Sequence, residues 1–444
     1  IIKSIMKYLF CLILSLFIFS CSENTKKELN NIEYVANKYV YLAHSIGLHD
    51  ADYVDAYFGP DSIKQQAIKD SLSLIEIKQK VNDLIGTLES VELPDKNNML
   101  LKLRHNFLKN MLNSMNTRIN ILLGNYPKFD EECKELYGSI SPTYSEEYFE
   151  DLIKELDDKL PGSGDIKARY QDYKSKFIIP KDKVDSVFRF ALNEAKKRTK
   201  AHIKLPFYED FELEYVHDKA WSGYNWFKGK AFSLVQINLD QPIYIDRAID
   251  LASHEAYPGH HTHHTLMENK FVKDSNWIEF TIYPLFSPMS LISEGSANYG
   301  IEVAFPGKEK LEFEKKFLYP LAGLDSNQAE TYDRIQEIIG KLDYAGNNAA
   351  RKFLDGDFTA EQTIDYLVKY NLMSVDRAKQ RLSFIKKYRA YVINYNVGLD
   401  MVRNFIELNG GTTDNPEKRW MIFQDLITNP YLPEDIDIKN KKSH

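Results

Sequence analysis

From Ile32 to about His202, apolar residues recur three and four positions apart, the spacing of one helix face, and strand signals are sparse. The pattern predicts helices over residues 61–91, 95–123, 145–160 and 180–202, with start signals at Asp61-Ser62, Pro94-Asp95 and Pro180-Lys181-Asp182. At Leu205-Pro206 the period shortens. Aromatic and β-branched residues crowd positions 211–216, 221–227 and 231–239, which read as three strands of a small antiparallel sheet, the last two joined by Lys228-Gly229-Lys230. A short apolar run at 248–253 then opens a helix that carries His254. Further on, a proline-broken loop at 283–289 precedes helices over 290–305, 308–317, 328–342 and 359–370 and a long one over 375–406, with 347–353 as a connection. The expected fold is mainly α, with the small sheet beside the histidine helix. A helical region, 31–204, and a second region, 205–444, are expected to pack as one unit.

Composition and charge narrow the function classes. The 444 residues are 43% hydrophobic and 27% charged, a globular composition with no sign of disorder. With a formal net charge of −7 and its Lys and Arg scattered through helices, the chain has no basic stripe, so no nucleic-acid partner is expected. The apolar run at 8–19 is too short for an ordinary membrane span. It follows Met6-Lys7, the expected start, and closes on Ser20-Cys21, a pattern that resembles a bacterial lipoprotein signal. On that reading 1–20 is a signal peptide, Cys21 the lipidation site and 21–30 a tether, giving an exported lipoprotein anchored to a bacterial membrane. Removing the signal removes Cys11 and leaves Cys133 as the one cysteine besides Cys21, so no internal disulfide forms.

The chemistry centres on His254-Glu255-Ala256-Tyr257-Pro258-Gly259-His260-His261. In the zinc-hydrolase arrangement H-E-x-x-H, two histidines four apart share a helix face and the adjacent Glu activates water. Here Pro258 occupies the second histidine's position. On an unbroken helix His260 would point about 120° away from His254, and His261 would sit about 10 Å along the axis. Pro258 cannot donate to the His254 carbonyl, and Gly259 accepts almost any dihedral, so a bulge there would swing His260 back. His261 is the neighbouring alternative, and a set of His260, His264 and Glu268 on an unbroken helix is a rival. About 40 residues later, Ser293-Glu294-Gly295-Ser296-Ala297-Asn298-Tyr299-Gly300-Ile301-Glu302 places Glu294, Asn298 and Glu302 four apart on an otherwise apolar helix. Glu294 suits a carboxylate ligand and Asn298 the group that orients a ligand histidine. Glu302 and Asp250 are competing carboxylates, and His261, Tyr299 and Asp250 are supporting positions. No histidine lies between His264 and His444, which leaves transition-state stabilisation to tyrosine or arginine, with Tyr395 as the oxyanion partner. Arg351, Arg389 and Arg403 are candidates for a substrate carboxylate.

H-E-A-Y-P-G-H-H, E-G-S-A-N-Y-G-I-E and N-Y-N-V-G, with Tyr53-Val54-Asp55-Ala56-Tyr57-Phe58-Gly59-Pro60 near the start, resemble the bacterial family called domain of unknown function 885. That family resembles helical, zinc-dependent peptidases of the gluzincin type. The resemblance implies a zincin-like fold, Zn2+ held by His254, His260 and Glu294, Glu255 as base, and a peptide or small protein as substrate. Two departures stand out: Ser296 replaces the family's usual Trp, and the late His of many members has no counterpart. A binding lipoprotein with a degenerate site and a zinc hydrolase of a non-peptide amide are the alternatives.

Overall fold

The computed structural model describes residues 28–93, 97–219 and 221–437. The signal segment, Cys21, most of the tether and the Pro94-Asp95 helix start lie outside these residues. The chain is mainly helical with two small sheets. Among the described residues no helix is long and apolar enough to cross a membrane.

Most helices fall where the apolar spacing places them, with local departures. The 61–91 stretch forms two helices, Asp61–Asp70 and Leu74–Glu89, because Ser71 turns left-handed (φ +44°) and Ser73 starts the second with a capping box to Glu76. Ile77, Val81, Leu84 and Leu88 then form its buried stripe. Residues 347–353 are not a connection: the alanines extend a buried helix, Tyr344–Leu354. The long helix expected over 375–406 is broken. Val375–Tyr388 stops at Arg389 (φ +52°), Arg389–Asn394 tightens to a 3-10 turn, and Asn396–Leu408 resumes. The cause is Glu132, a buried carboxylate that holds the Arg389 guanidinium at 2.6 Å and accepts from the Ala390 amide at 3.2 Å.

Among the described residues five strands make two sheets. β2 (Asp210–Val216), β3 (Gly223–Phe227) and β4 (Phe232–Asn238) follow the predicted segments, and β3 and β4 form the expected antiparallel hairpin. The sheet is mixed rather than antiparallel: β4 lies in the middle and β2 runs parallel to it, leaving β3 as an edge. β1 (Val54–Tyr57) pairs antiparallel with β5 (Ile282–Pro284), which lies where a loop was expected.

Two apolar cores cut across the order of the chain. One gathers residues 28–47, Leu74–Glu89 and Met99–Leu122 around Phe271, Phe280 and Ile282. The other holds the sheet, the histidine helix and helices from Phe129 onward, and Leu285 and Tyr388 pack against both. The helix Pro288–Ala304 contributes to both, with Met289 in the first core and Leu291 and Ile292 in the second.

Candidate metal centre

The histidine helix begins as an α-helix, Ile245–Leu251, and widens into a π turn, Ala252–Ala256. Tyr257 is extended, the Tyr257–Pro258 bond is cis, and the Gly259 amide donates back to the Ser253 carbonyl at 2.9 Å before helix resumes over His260–Met267. A Cβ on Gly259 would stand 1.9 Å from the His254 carbonyl oxygen, so only glycine fits. This break brings His260 Nε2 to 3.1 Å from His254 Nε2. On a regular helix the two rings would have diverged.

Glu294 comes from the helix Pro288–Ala304. Its Oε2 lies 3.3 Å from His254 Nε2 and 3.8 Å from His260 Nε2, and it is buried with no hydrogen-bond partner. Its Oε1 accepts from the Tyr391 hydroxyl at 2.8 Å. The ring nitrogens that face away are also held. His254 Nδ1 donates to Asn298 Oδ1 at 2.9 Å, Asn298 Nδ2 donates to the Tyr395 carbonyl at 2.9 Å, and Ser293 Oγ lies 3.2 Å from His260 Nδ1. With both Nδ1 atoms engaged, the Nε2 atoms are left to converge with Glu294. The close crossing that permits this is glycine on glycine: a Cβ on Gly295 would be 2.4 Å from the Gly398 carbonyl.

Glu255 is buried beside this cluster, its carboxylate within 4.8 Å of the ligating atoms of His254 and His260. Asn225 Nδ2 of β3 donates to its carbonyl at 2.7 Å, and a Cβ on Gly223 would stand 2.9 Å from Glu255 Oε1. The bare start of the edge strand therefore gives the carboxylate its room. Burial pushes the Glu255 carboxyl up to about 7, with His254 opposing and Glu294 adding to the rise. Burial also lowers the pKa of His260, assisted by His254, so that ring is neutral. On His254 burial acts against charge, but Glu294 and Glu255 outweigh it and raise the pKa.

The remaining candidates separate. Tyr395 is within electrostatic reach of Glu294 and Glu255, and burial keeps its phenol protonated, a donor. His261 turns away: it is buried with Nδ1 2.8 Å from Ser233 Oγ and Nε2 3.0 Å from Glu209. Asp250 meets Lys310 at 2.8 Å, Glu302 is taken by Arg403, and the buried Tyr299 hydroxyl has no partner. None of these reaches the histidines. The rival set of His260, His264 and Glu268 does not form, because Glu268 accepts from the Lys230 and Ala231 amides and His264 stacks on Phe227. Arg351, Arg389 and Arg403 are occupied by Asp130, Glu132 and Glu302, which removes them as substrate partners.

Four site residues escape the sequence pattern. Tyr391 and Ser293 support the cluster, and neither spacing nor residue type marks them. Asp55 on β1 accepts from the Tyr224 hydroxyl of β3; burial, then Glu294 and Glu255, push it up to about 7. The quoted Tyr53 to Pro60 motif was the available signal for Asp55, without a role attached.

No family model matches the chain, and no curated protein matches it. Among solved structures, a candidate lipoprotein from Colwellia psychrerythraea aligns with a TM-score of 0.51 at 16% identity, over 84% of this chain and 69% of its own. That likeness is one of fold. Metallocarboxypeptidase 1 from Trypanosoma cruzi aligns at 0.44 with 13% identity, over 90% of this chain and 91% of its own. A protein called CHT aligns at 0.45 with 11% identity, over 94% and 95%.

Proposed function

We propose that the protein hydrolyses peptides with a zinc ion held by His254, His260 and Glu294 and with Glu255 as general base. The observation that carries this reading is the convergence of two imidazole Nε2 atoms and the orphaned Glu294 Oε2 at separations of 3.1, 3.3 and 3.8 Å. Ligand atoms about 2.0–2.1 Å from a tetrahedral zinc stand about 3.3 Å from one another, so the donor set fits that ion. Three protein ligands leave a fourth position open, as a catalytic site requires. Zinc there supplies a Lewis acid that polarises the scissile carbonyl and acidifies water.

The chain's own groups do the rest. Glu255 takes the proton of the attacking water and passes it to the leaving nitrogen, and a pKa near neutrality suits both transfers. Tyr395 donates to the oxygen that gains charge. The unpaired edge of β3, adjoining Glu255 through Gly223 and Asn225, lines up an extended substrate main chain. The deciding experiment is a peptide-library digest with and without chelator, alongside a zinc assay. The expected result is about one zinc per chain, cleavage that stops with chelator, and recovery on adding zinc. Absence of bound zinc would leave a binding protein; zinc without peptide cleavage would point to another amide.

The chain is also proposed to be an exported lipoprotein, anchored through Cys21. The apolar run before Ser20-Cys21 supports this, as does the fold shared with the candidate lipoprotein of Colwellia psychrerythraea. Cys21→Ser should move the protein from the membrane fraction to the soluble one, while the wild type stays bound in high salt. Wild-type protein that washes off with salt alone has no such anchor.

A further inference from the structure

The outer face of the three-stranded sheet carries aromatic rings that neither core uses. Burial alternates along β2 and β4: Asp210, Glu212 and Glu214 are exposed and Leu234 and Gln236 half-buried, while Val235 and Ile237 face the core. Trp226 of β3 stands opposite Leu234 and Tyr224 opposite Gln236, so both rings share the solvent side. Trp221 joins them, with ring centroids 5.2 Å apart from Trp221 to Tyr224 and 4.5 Å apart from Tyr224 to Trp226. All three residues are half-buried, and none packs into either core. Their neighbours fix them. Trp226 Nε1 donates to Gln236 Oε1 at 2.9 Å, Gln236 Nε2 donates to Glu214 Oε2 at 2.8 Å, the Tyr224 hydroxyl is held by Asp55, and Lys228 Nζ lies 5.3 Å from the Trp226 ring centroid. Three aromatic rings in a row, fixed in place and open to water, mark a contact surface.

The strand that carries these rings also borders the proposed general base. The Lys228 amide donates to the Phe232 carbonyl and the Asn238 amide to the Ser222 carbonyl, each at 2.9 Å. These bonds turn the main chain of the even-numbered residues of β3 toward β4 and leave the N–H and C=O groups of Gly223, Asn225 and Phe227 for the free edge. On the inner face, a Cβ at Gly223 would stand 2.9 Å from Glu255 Oε1, and Asn225 Nδ2 donates to the Glu255 carbonyl at 2.7 Å. A substrate main chain paired to this edge puts the side chain opposite Gly223 on the Glu255 side. The side chains opposite Tyr224 and Trp226 then fall on the outer face, with Cβ atoms about 4.5–5.5 Å from theirs, against the rings.

Resting on the peptidase reading above, we propose that Trp221, Tyr224 and Trp226 form a subsite for a large apolar side chain of the substrate, aromatic or leucine. That side chain belongs to the residue one or three places along from the one opposite Gly223. Aromatic side chains suit the subsite best, since rings pair edge to face or offset-stacked and such pairs are worth about 2- to 10-fold beyond the area they bury. The rings are already held by Gln236 and Asp55, so little freedom is lost when a side chain settles on them.

The test is a positional peptide library, followed by matched peptides with Phe or Ala at the preferred position. Phe over Ala should raise kcat/KM by about 10-fold or more. Trp226→Ala and Trp221→Ala should each bring that ratio close to one, whereas Trp226→Phe, which keeps a ring in place, should retain most of it. No preference for aromatic residues or leucine at any position, or a preference that survives both alanine variants, would overturn the subsite. A second arm needs no turnover: calorimetric titration of Glu255→Gln protein with the two peptides, in which the Phe peptide should bind tighter and the same protein carrying Trp226→Ala should bind both alike. Binding of a neutral oligosaccharide that Trp226→Ala abolishes, with no difference between the two peptides, would give the rings to a carbohydrate and overturn the assignment. If no peptide is cut, the peptidase reading fails, while this titration still decides the subsite.

Discussion

Glu255→Gln is expected to keep its zinc and lose at least about 100-fold in turnover, the scale of removing a general base. Glutamine has the shape of the buried carboxylate and fits the space left by Gly223, so the π turn should hold and the three converging donor atoms should stay in place. The amide cannot accept the proton of an attacking water. Metal content measured beside kcat on one protein sample separates the two effects: intact zinc with near-normal turnover ends the mechanism proposed for Glu255, and lost zinc makes that residue a ligand instead.

How much of this was legible in the sequence depends on the range of the interaction. The break at Pro258-Gly259 is local, written in two residues whose backbone chemistry disallows a regular helix, and it pointed to His260 rather than His261. The Glu294 and Asn298 pair was legible for the same reason, a four-residue spacing on one helix face. Tyr391 was not. Its position depends on the left-handed turn at Arg389, which exists because Glu132, from a helix far away in sequence, captures that arginine and the next amide. The pairing of β1 with β5 and the parallel seat of β2 are likewise long-range, and no periodicity encodes them. The arginines that looked available proved to be taken by acidic residues from other segments.

The second large effect is expected at Glu294. Its Oε2 is the one oxygen of the cluster that is buried without a partner and close to both Nε2 atoms, so Glu294→Ala removes a donor that no neighbour can replace. Zinc titration should show tight binding abolished, as it should in His260→Ala. Tyr391→Phe and Asn298→Ala act one step out, on the orientation of Glu294 and His254, and should weaken zinc by about 10- to 100-fold. Three further variants set the floor. Asp250→Ala and Glu302→Ala should leave zinc affinity unchanged, because those carboxylates serve Lys310 and Arg403. His261→Ala should also keep zinc while losing about 1–3 kcal/mol of stability, the cost of leaving buried Glu209 and Ser233 short of a partner. Unchanged affinity in Glu294→Ala would break the proposed ligand set, because the two histidines alone give too few protein ligands for a catalytic zinc site.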